Sequence, residues 1–480
     1  MCYYRKESQK KRQQKDMQAT DKKYLFESMP IPKALATMAV PTIISQLINL
    51  IYNMVDAFFI GRTGNSYMMA ATSLTLTMTM MNVAFSNLFG VGGGSLIARL
   101  MGMQRDKKAR AVSAFSFFAC IALALVYSVL LAIFLNPVLR FLGASDATIG
   151  YARQYTFFVI IIGSVPTILS LTLAHMLRNT GFSGKASTGL SGGGILNIIL
   201  DPLFMFVILP RGYEVAGAAI ATLLSNVIAC IYLFLAYRKA ANAAPLSTRL
   251  SDAKQLDPEN RRNIFAVGIP SALLTGLFDL ANICVNILSS AHSDLVLAAM
   301  GIVMKVERIP NAVNVGICQG MLPIVAYNYS SGDHNRMRGT IRFARFAGLS
   351  ISAVSILLLE LLASPVTGVF LSTKAQDAET AVVTLGFAAL FLRIRCVASP
   401  VQFINYNTSY CLQAMGFGKA TMLHAIVREL VFYIPLMFTL DHFFGETGLA
   451  CALPVGEGLG AIFALFLLAY LLKKDKETYL

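Results

Sequence analysis

Tryptophan is absent from this 480-residue chain, and charged residues make up only 14% of it. A soluble domain carries about a quarter charged residues. With 56% hydrophobic residues and a mean hydropathy of +0.62, the chain reads as an integral membrane protein. Histidine is scarce: His175, His292, His334, His424 and His442 show no ligand spacing. The eight cysteines sit mostly inside apolar runs without CxxC spacing, which argues against a disulfide framework or a metal site. The glycine runs at Gly90, Gly92–Gly94 and Gly192–Gly194 lack the Gly-Lys-Ser/Thr of a phosphate loop and read as close-packing residues. No nucleophile–base pair appears, so no enzyme and no cofactor are expected. Residues 1–30 are polar, and no A-x-A-like cleavage site follows the first apolar run, so no secretory signal is expected. The net charge of +15 does not point to nucleic acid, because the basic residues lie between apolar runs rather than on one face.

Those basic residues act better as topology signals. A hydrocarbon core about 30 Å thick needs roughly 20 apolar residues of helix. Twelve stretches qualify: about 34–61, 69–99, 111–135, 149–179, 184–209, 214–238, 262–290, 295–329, 340–370, 378–414, 419–441 and 446–473. With both termini inside, 30 of the 40 Lys and Arg residues fall in cytoplasmic segments, nine of them before residue 34. The positive-inside rule thus predicts a multi-pass protein of the cell inner (plasma) membrane with both termini cytoplasmic. The basic tail serves as an orientation signal, with anionic-lipid contact as the sharper alternative.

The two halves repeat one design. "MAVPTIISQ" from Met38 parallels "AVGIPSALL" from Ala266, setting Pro41 against Pro270. "MLRNTGFSGKAS" from Met176 parallels "CLQAMGFGKAT" from Cys411, setting Gly181 against Gly416. "GAAIATLLS" from Gly217 parallels "GLACALPVG" from Gly448. The expected organisation is a basic tail at 1–33, a six-helix lobe at 34–240 and a linker at 241–262. A second six-helix lobe at 263–473 and a short tail at 474–480 complete it. Parallel repeats of this kind place a substrate pathway between the halves.

Two carboxylates interrupt the spans of the first half, Asp56 and Asp201. Burying such a group in a bilayer is costly, so it is usually kept for ion or proton handling. From the helical rise, Asp56 lies roughly 8 Å below the outer end of its span, and Asp201 and Thr222 about 12 Å below theirs. Asn197 precedes Asp201 by one turn, and Asn53 precedes Asp56 by three residues. Five oxygen-bearing side chains from three helices therefore fall in one layer. Such a set can load and release H⁺, because carboxylates in low dielectric hold protons tightly. It can equally bind a desolvated Na⁺, with Asp56, Asn197 and Asp201 as metal ligands in that case only. Asn53 and Thr222 serve equally well as interhelical glue.

The second half carries Asp279, Glu307, Glu360, Glu429 and Glu457 within spans. Glu307 is expected to be neutralised by Arg308 and Lys305, and Glu429 by Arg428. Asp279 and Glu457 lie midway along their spans and are candidates to attract a cationic substrate. The 31 Phe and 21 Met residues suit a cavity that repacks around varied apolar ligands.

Several motifs resemble the multidrug and toxic compound extrusion (MATE) transporters, in their bacterial DinF-like or MepA-like branch. They are "PTIISQLINLIYNMVDAFFIGRTGN" from Pro41, "NLFGVGGGSLIARLMG" from Asn87 and "LNIILDPLFMF" from Leu196, with "GICQGMLPIVAYNYSSGD" from Gly316 and "LQAMGFGKAT" from Leu412. The resemblance implies an all-α membrane fold of twelve helices in two pseudo-symmetric six-helix bundles. It implies export of cationic or amphipathic drugs and dyes in exchange for H⁺ or Na⁺. On this resemblance Pro41 is the kink proline of the first span, Asp56 its acid, Asn197 and Asp201 the fifth-span pair, and Thr222 the sixth-span threonine. The chain departs from the family in span 10, where Gln402, Asn405 and Asn407 stand instead of an acid. Coupling is therefore assigned to the first half, and Gln402 and Asn405 join Asp279 and Glu457 as substrate-cavity candidates. A monomer in contact with membrane lipids is expected. A lipid-linked oligosaccharide flippase of the same superfamily and a non-transporting scaffold or sensor are the alternatives.

Overall fold

A computed structural model describes residues 23–369 and 378–478, and all of the regular structure among them is helical. The basic residues before position 23 and Lys374 lie outside the described residues. The first half comprises α1 (Ile31–Arg62), α2 (Ser66–Gly102), α3 (Asp106–Phe141), α4 (Ile149–Ile162 with Ser164–Asn179), α5 (Ser183–Ile208) and α6 (Glu214–Ala240). The second comprises α7 (Pro258–His292), α8 (Asp294–Ser331), α9 (His334–Leu361) and α10 (Thr380–Cys396 with Ser399–Met415). The final apolar run, Gly418–Lys474, has 57 residues and would extend about 85 Å as one helix, far beyond a bilayer. It is broken at Gly445 (φ 62°, ψ −148°), which divides it into α11 (418–444) and α12 (446–474). The fold is thus that of an all-α membrane protein, with twelve spans among the described residues once the last run is divided at Gly445.

The repeat seen in the sequence has a structural counterpart. α4 and α10 occupy equivalent places, and each is bent by 48° at a short break. The helix ends before α5 and α11 both turn on a left-handed glycine, Gly181 (φ 85°) and Gly416 (φ 84°). A side chain with a Cβ adopts that backbone only with strain, which explains why the sequence repeats glycine there. Helix packing follows the same symmetry: α1 rests on α5 as α7 rests on α11, and α2 on α4 as α8 on α10.

The halves meet where α1 packs on α8 and α2 on α7. Gly320 of α8 sits on the backbone of Ala39, and Gly268 of α7 on the carbonyl of Leu88, so the helices touch along main chain. Gly92 likewise meets the backbone of α7, whereas Gly192 faces open space. These contacts all lie at the end of the bundle where α1 begins and α2 ends. There Leu35, Ala39, Val91 and Ala98 share one core with Val267, Ile317, Met321 and Leu412. Towards the opposite end the cores separate. Ile60, Met68 and Val215 belong to a cluster of the first half alone, and Val285, Val296 and Leu449 to one of the second. The molecule is closed at the end where α1 begins and α12 ends, and divided at the other.

Residues Tyr24–Ser28 form a short strap across the closed end. Phe26 is buried, stacks on Tyr327 of α8 at 4.9 Å and packs near Gly181 of the first half. Arg336 donates to the carbonyls of Phe26 (2.7 Å), Leu25 (3.2 Å) and Met29 (2.6 Å). The connection between the halves is also anchored: the Ser247 amide donates to Ser113 Oγ (2.9 Å), and Lys108 pairs with Asp257 at 2.8 Å.

Candidate functional site

In the first half, α5 supplies the centre of a polar cluster. Asn197 and Asp201 are one turn apart, so both face α6. Asn197 Nδ2 donates to Asp201 Oδ1 (3.0 Å) and to Thr222 Oγ1 (3.3 Å). Asp201 and Asn197 are buried. Asp56 of α1 is half-buried and within electrostatic reach of Asp201. Tyr155 of α4 lies beside Thr222, and with Tyr52 of α1 it is within electrostatic reach of both acids. Four helices therefore converge on this cluster.

Asn53 is not drawn into it. Its amide donates to the Asn49 carbonyl (2.6 Å) and side chain (3.1 Å) on an exposed stretch of α1. Pro41 lies deeper along α1, near the closed seam, and the helix runs unbroken through it. Tyr155 carried no polar sequence signal; only its place in a bent helix facing α6 brings it in.

Three oxygens of the cluster, Asp56 Oδ1, Asn197 Oδ1 and Asp201 Oδ2, are buried without a hydrogen-bond partner among the described residues. Buried polar atoms are normally satisfied. An acceptor-rich set of this kind has the chemistry to take up a proton or a hard cation. Among the described residues no group of three or more His, Cys, Asp or Glu side chains is placed to hold a metal ion. Binding of Na⁺ would therefore require the amide and hydroxyl oxygens beside the two carboxylates.

The second half pairs its acids differently from the sequence expectation. Glu457 of α12 receives two bonds from Arg428 of α11, Nε to Oε2 (2.9 Å) and Nη2 to Oε1 (2.5 Å). Asn405 Nδ2 donates to Oε2 of the same carboxylate (2.6 Å), and Gln402 Nε2 approaches Oε1 at 3.4 Å. His424 links Asn405 to Ser409. Arg428 also lies 3.6 Å from Glu429, so the expected neighbour pairing exists but is secondary. Glu307 is held by Arg395 of α10 through two bonds of 2.8 and 3.0 Å, not by Arg308 or Lys305. Adjacent helical residues point about 100° apart and meet only at long range, whereas Arg395 approaches from a facing helix in bidentate geometry.

Glu457, Gln402 and Asn405 are thus joined in one buried network whose acid is neutralised. Glu457 and Gln402 edge a cavity between the helices of the second half that Asn282, Met304, Arg308 and Asn311 also line, while Asn405 lies behind them. Asp279 is half-buried, stands apart from that network and interacts electrostatically with Arg308.

The comparisons with known proteins agree with this architecture. A family model described as MatE matches residues 41–203 and 270–439, one segment in each half. The multidrug export protein MepA of Staphylococcus saprophyticus subsp. saprophyticus is 28% identical over 458 residues, covering 95% of this chain and 97% of that protein. MepA of Staphylococcus aureus is 29% identical over 457 residues, with the same coverage. Among solved structures, a MATE protein in complex with MaL6 superposes with a TM-score of 0.88 at 22% identity, covering 95% of this chain and 99% of that one. An outward-facing multidrug resistance MATE family transporter of the MOP superfamily gives 0.86 at 22% identity, covering 94% and 98%. With the family model covering well over half the chain, in two segments that fall on its two halves, the chain belongs to the MATE family.

Proposed function

We propose that this protein is a multidrug efflux antiporter, not an enzyme, that exports cationic or amphipathic drugs and dyes in exchange for H⁺ or Na⁺. The observation that carries the reading is the cluster of Asp56, Asn197, Asp201 and Thr222, with its three unpartnered buried oxygens. The coupling ion binds there, and substrate occupies the space between the lobes at residues 34–240 and 263–473. Both termini are cytoplasmic in the cell membrane, so the divided end faces outward.

α1 connects the two events. It carries Asp56 towards its outer end and Ala39, on which Gly320 of α8 rests, towards its inner end. Pro41 removes one backbone hydrogen bond between them and gives α1 a place to bend. Ion binding shifts the access equilibrium only through its different affinity for the two states. A carboxylate pair that changes neighbours as α1 moves meets that requirement. A flippase for a pyrophosphate-linked lipid would need several free cations in the cavity, yet of the two arginines lining it Arg395 is committed to Glu307, which leaves Arg308 alone.

The test is ethidium export from a drug-sensitive host under a proton gradient or a sodium gradient imposed separately. Export driven by one gradient in the wild type and lost in a well-expressed Asp56→Asn variant is the expected result. Unchanged export by the variant would remove Asp56 from the coupling site.

A further inference from the structure

Between α9 and α12, at the closed end of the second half, lies a groove that the transport reading leaves unused. Arg338, Arg342 and Arg345 of α9 and Lys473 of α12 wall it, and Ile341 and Leu468 form its floor. The three arginines are spaced four and three residues apart, so they share one helix face. The helical rise sets Arg345 about 10 Å deeper than Arg338. Its guanidinium is held in place by Asn407 Oδ1 of α10, at 3.2 Å from Nε and 3.1 Å from Nη2. Among the described residues, Arg338, Arg342 and Lys473 form no ion pair with a carboxylate.

Topology alone asks for cations at this end of the chain, not for their convergence. Like charges one turn apart repel, and gathering four around a single groove compounds that cost unless an anion is present. The apolar floor excludes a purely hydrated anion as the natural occupant. The same two helices also present Phe346, Phe466 and Tyr470 outward, with exposures of 69%, 73% and 63%, as surfaces facing acyl chains do. We propose that the groove is a binding site for one anionic phospholipid. Its phosphodiester lies among Arg338, Arg342 and Lys473, and an acyl chain lies along Ile341, Leu468 and Leu472.

The lack of tryptophan makes the test direct. A Leu472→Trp variant places a single fluorophore at the lip of the groove, where Leu472 is half-exposed. The full-length protein is reconstituted with brominated phosphatidylglycerol or brominated phosphatidylcholine, and quenching is measured against mole fraction. Half-maximal quenching is expected at about a tenfold lower mole fraction of the anionic lipid, since each nearby cation adds to the attraction. Adding Arg338→Ala, Arg342→Ala and Lys473→Ala should erase that preference. Removing as much charge elsewhere at the same end, with Arg105→Ala, Lys107→Ala and Arg110→Ala, should preserve it. Equal quenching by the two lipids would overturn the proposal, as would a preference that survives the groove substitutions. Loss of preference in the distant triple variant would overturn it by making the effect one of net charge. Relief of quenching by millimolar glycerol phosphate would overturn it in favour of a small soluble phosphate.

Discussion

Replacing Glu457 with Gln separates a structural role in the second half from a substrate-binding one. Arg428 is 1% exposed and makes two of its bonds to this carboxylate. Gln keeps the shape but removes the charge, and its NH₂ group faces a guanidinium N–H whichever way the amide is turned, donor against donor. Breaking a buried ion pair by removing one partner costs about 3–5 kcal/mol. Glu429, 3.6 Å from Arg428, retains part of the compensation, so the lower end of that range applies. For a unit of about 200 residues this corresponds to a fall in Tm of roughly 10 °C. The assay is thermal unfolding of purified Glu457→Gln in detergent, beside a double variant that adds Arg428→Met. Removing both charges should recover part of the loss, because the uncompensated cation is gone. A Glu457→Gln variant of unchanged Tm that no longer binds or exports a cationic dye would refute the structural assignment and return Glu457 to the substrate path.

Three further outcomes follow from the geometry. Gly268→Val places a side chain against the Leu88 carbonyl, so it should open the closed seam. Spin labels at Lys185 and Lys419 would then report longer distances than in the wild type, and an unchanged distribution would contradict the seam's role. Arg336→Ala removes three charge-assisted bonds to the strap, worth about 1.5–3 kcal/mol each at most, and should speed proteolysis near Lys33 at least tenfold. Equal cleavage rates would show that Phe26 alone holds the strap. Tyr155→Phe removes the hydroxyl that α4 brings beside Thr222 and the two acids; losing one polar contact of about 1 kcal/mol should weaken the apparent affinity for the coupling ion about fivefold without abolishing export. Complete loss of transport would place Tyr155 among the groups that handle the ion.

The features legible in the sequence were those that depend on spacing along one chain segment. Span lengths, the internal repeat and the four-residue step from Asn197 to Asp201 all survive folding because a helix preserves them. The three-residue spacing of Asn53 from Asp56 fixes only a broad face of the helix. The rotation of α1 gives the Asn53 amide to Asn49 instead. Partnerships between distant segments had no such signal. Glu457 lies 29 residues from Arg428, while Glu429 is adjacent to it, yet the distant carboxylate makes the bidentate bond. Glu307 finds Arg395 across 88 residues for the same reason. The break at Gly445 fell where the apolar run pauses, and the bends in α4 and α10 became visible only in the fold.

Ion movement through the first-half cluster is tested directly by counterflow in proteoliposomes. With the protein reconstituted and no ion gradient imposed, an inward ethidium gradient is applied while internal pH and internal Na⁺ are followed by separate dyes. The account predicts that one ion moves outward as ethidium enters. It also predicts that this movement is lost in both Asp56→Asn and Asp201→Asn, with their thermal stability retained. Dye entry without movement of either ion in the wild type, or ion movement that persists in both variants, would contradict it.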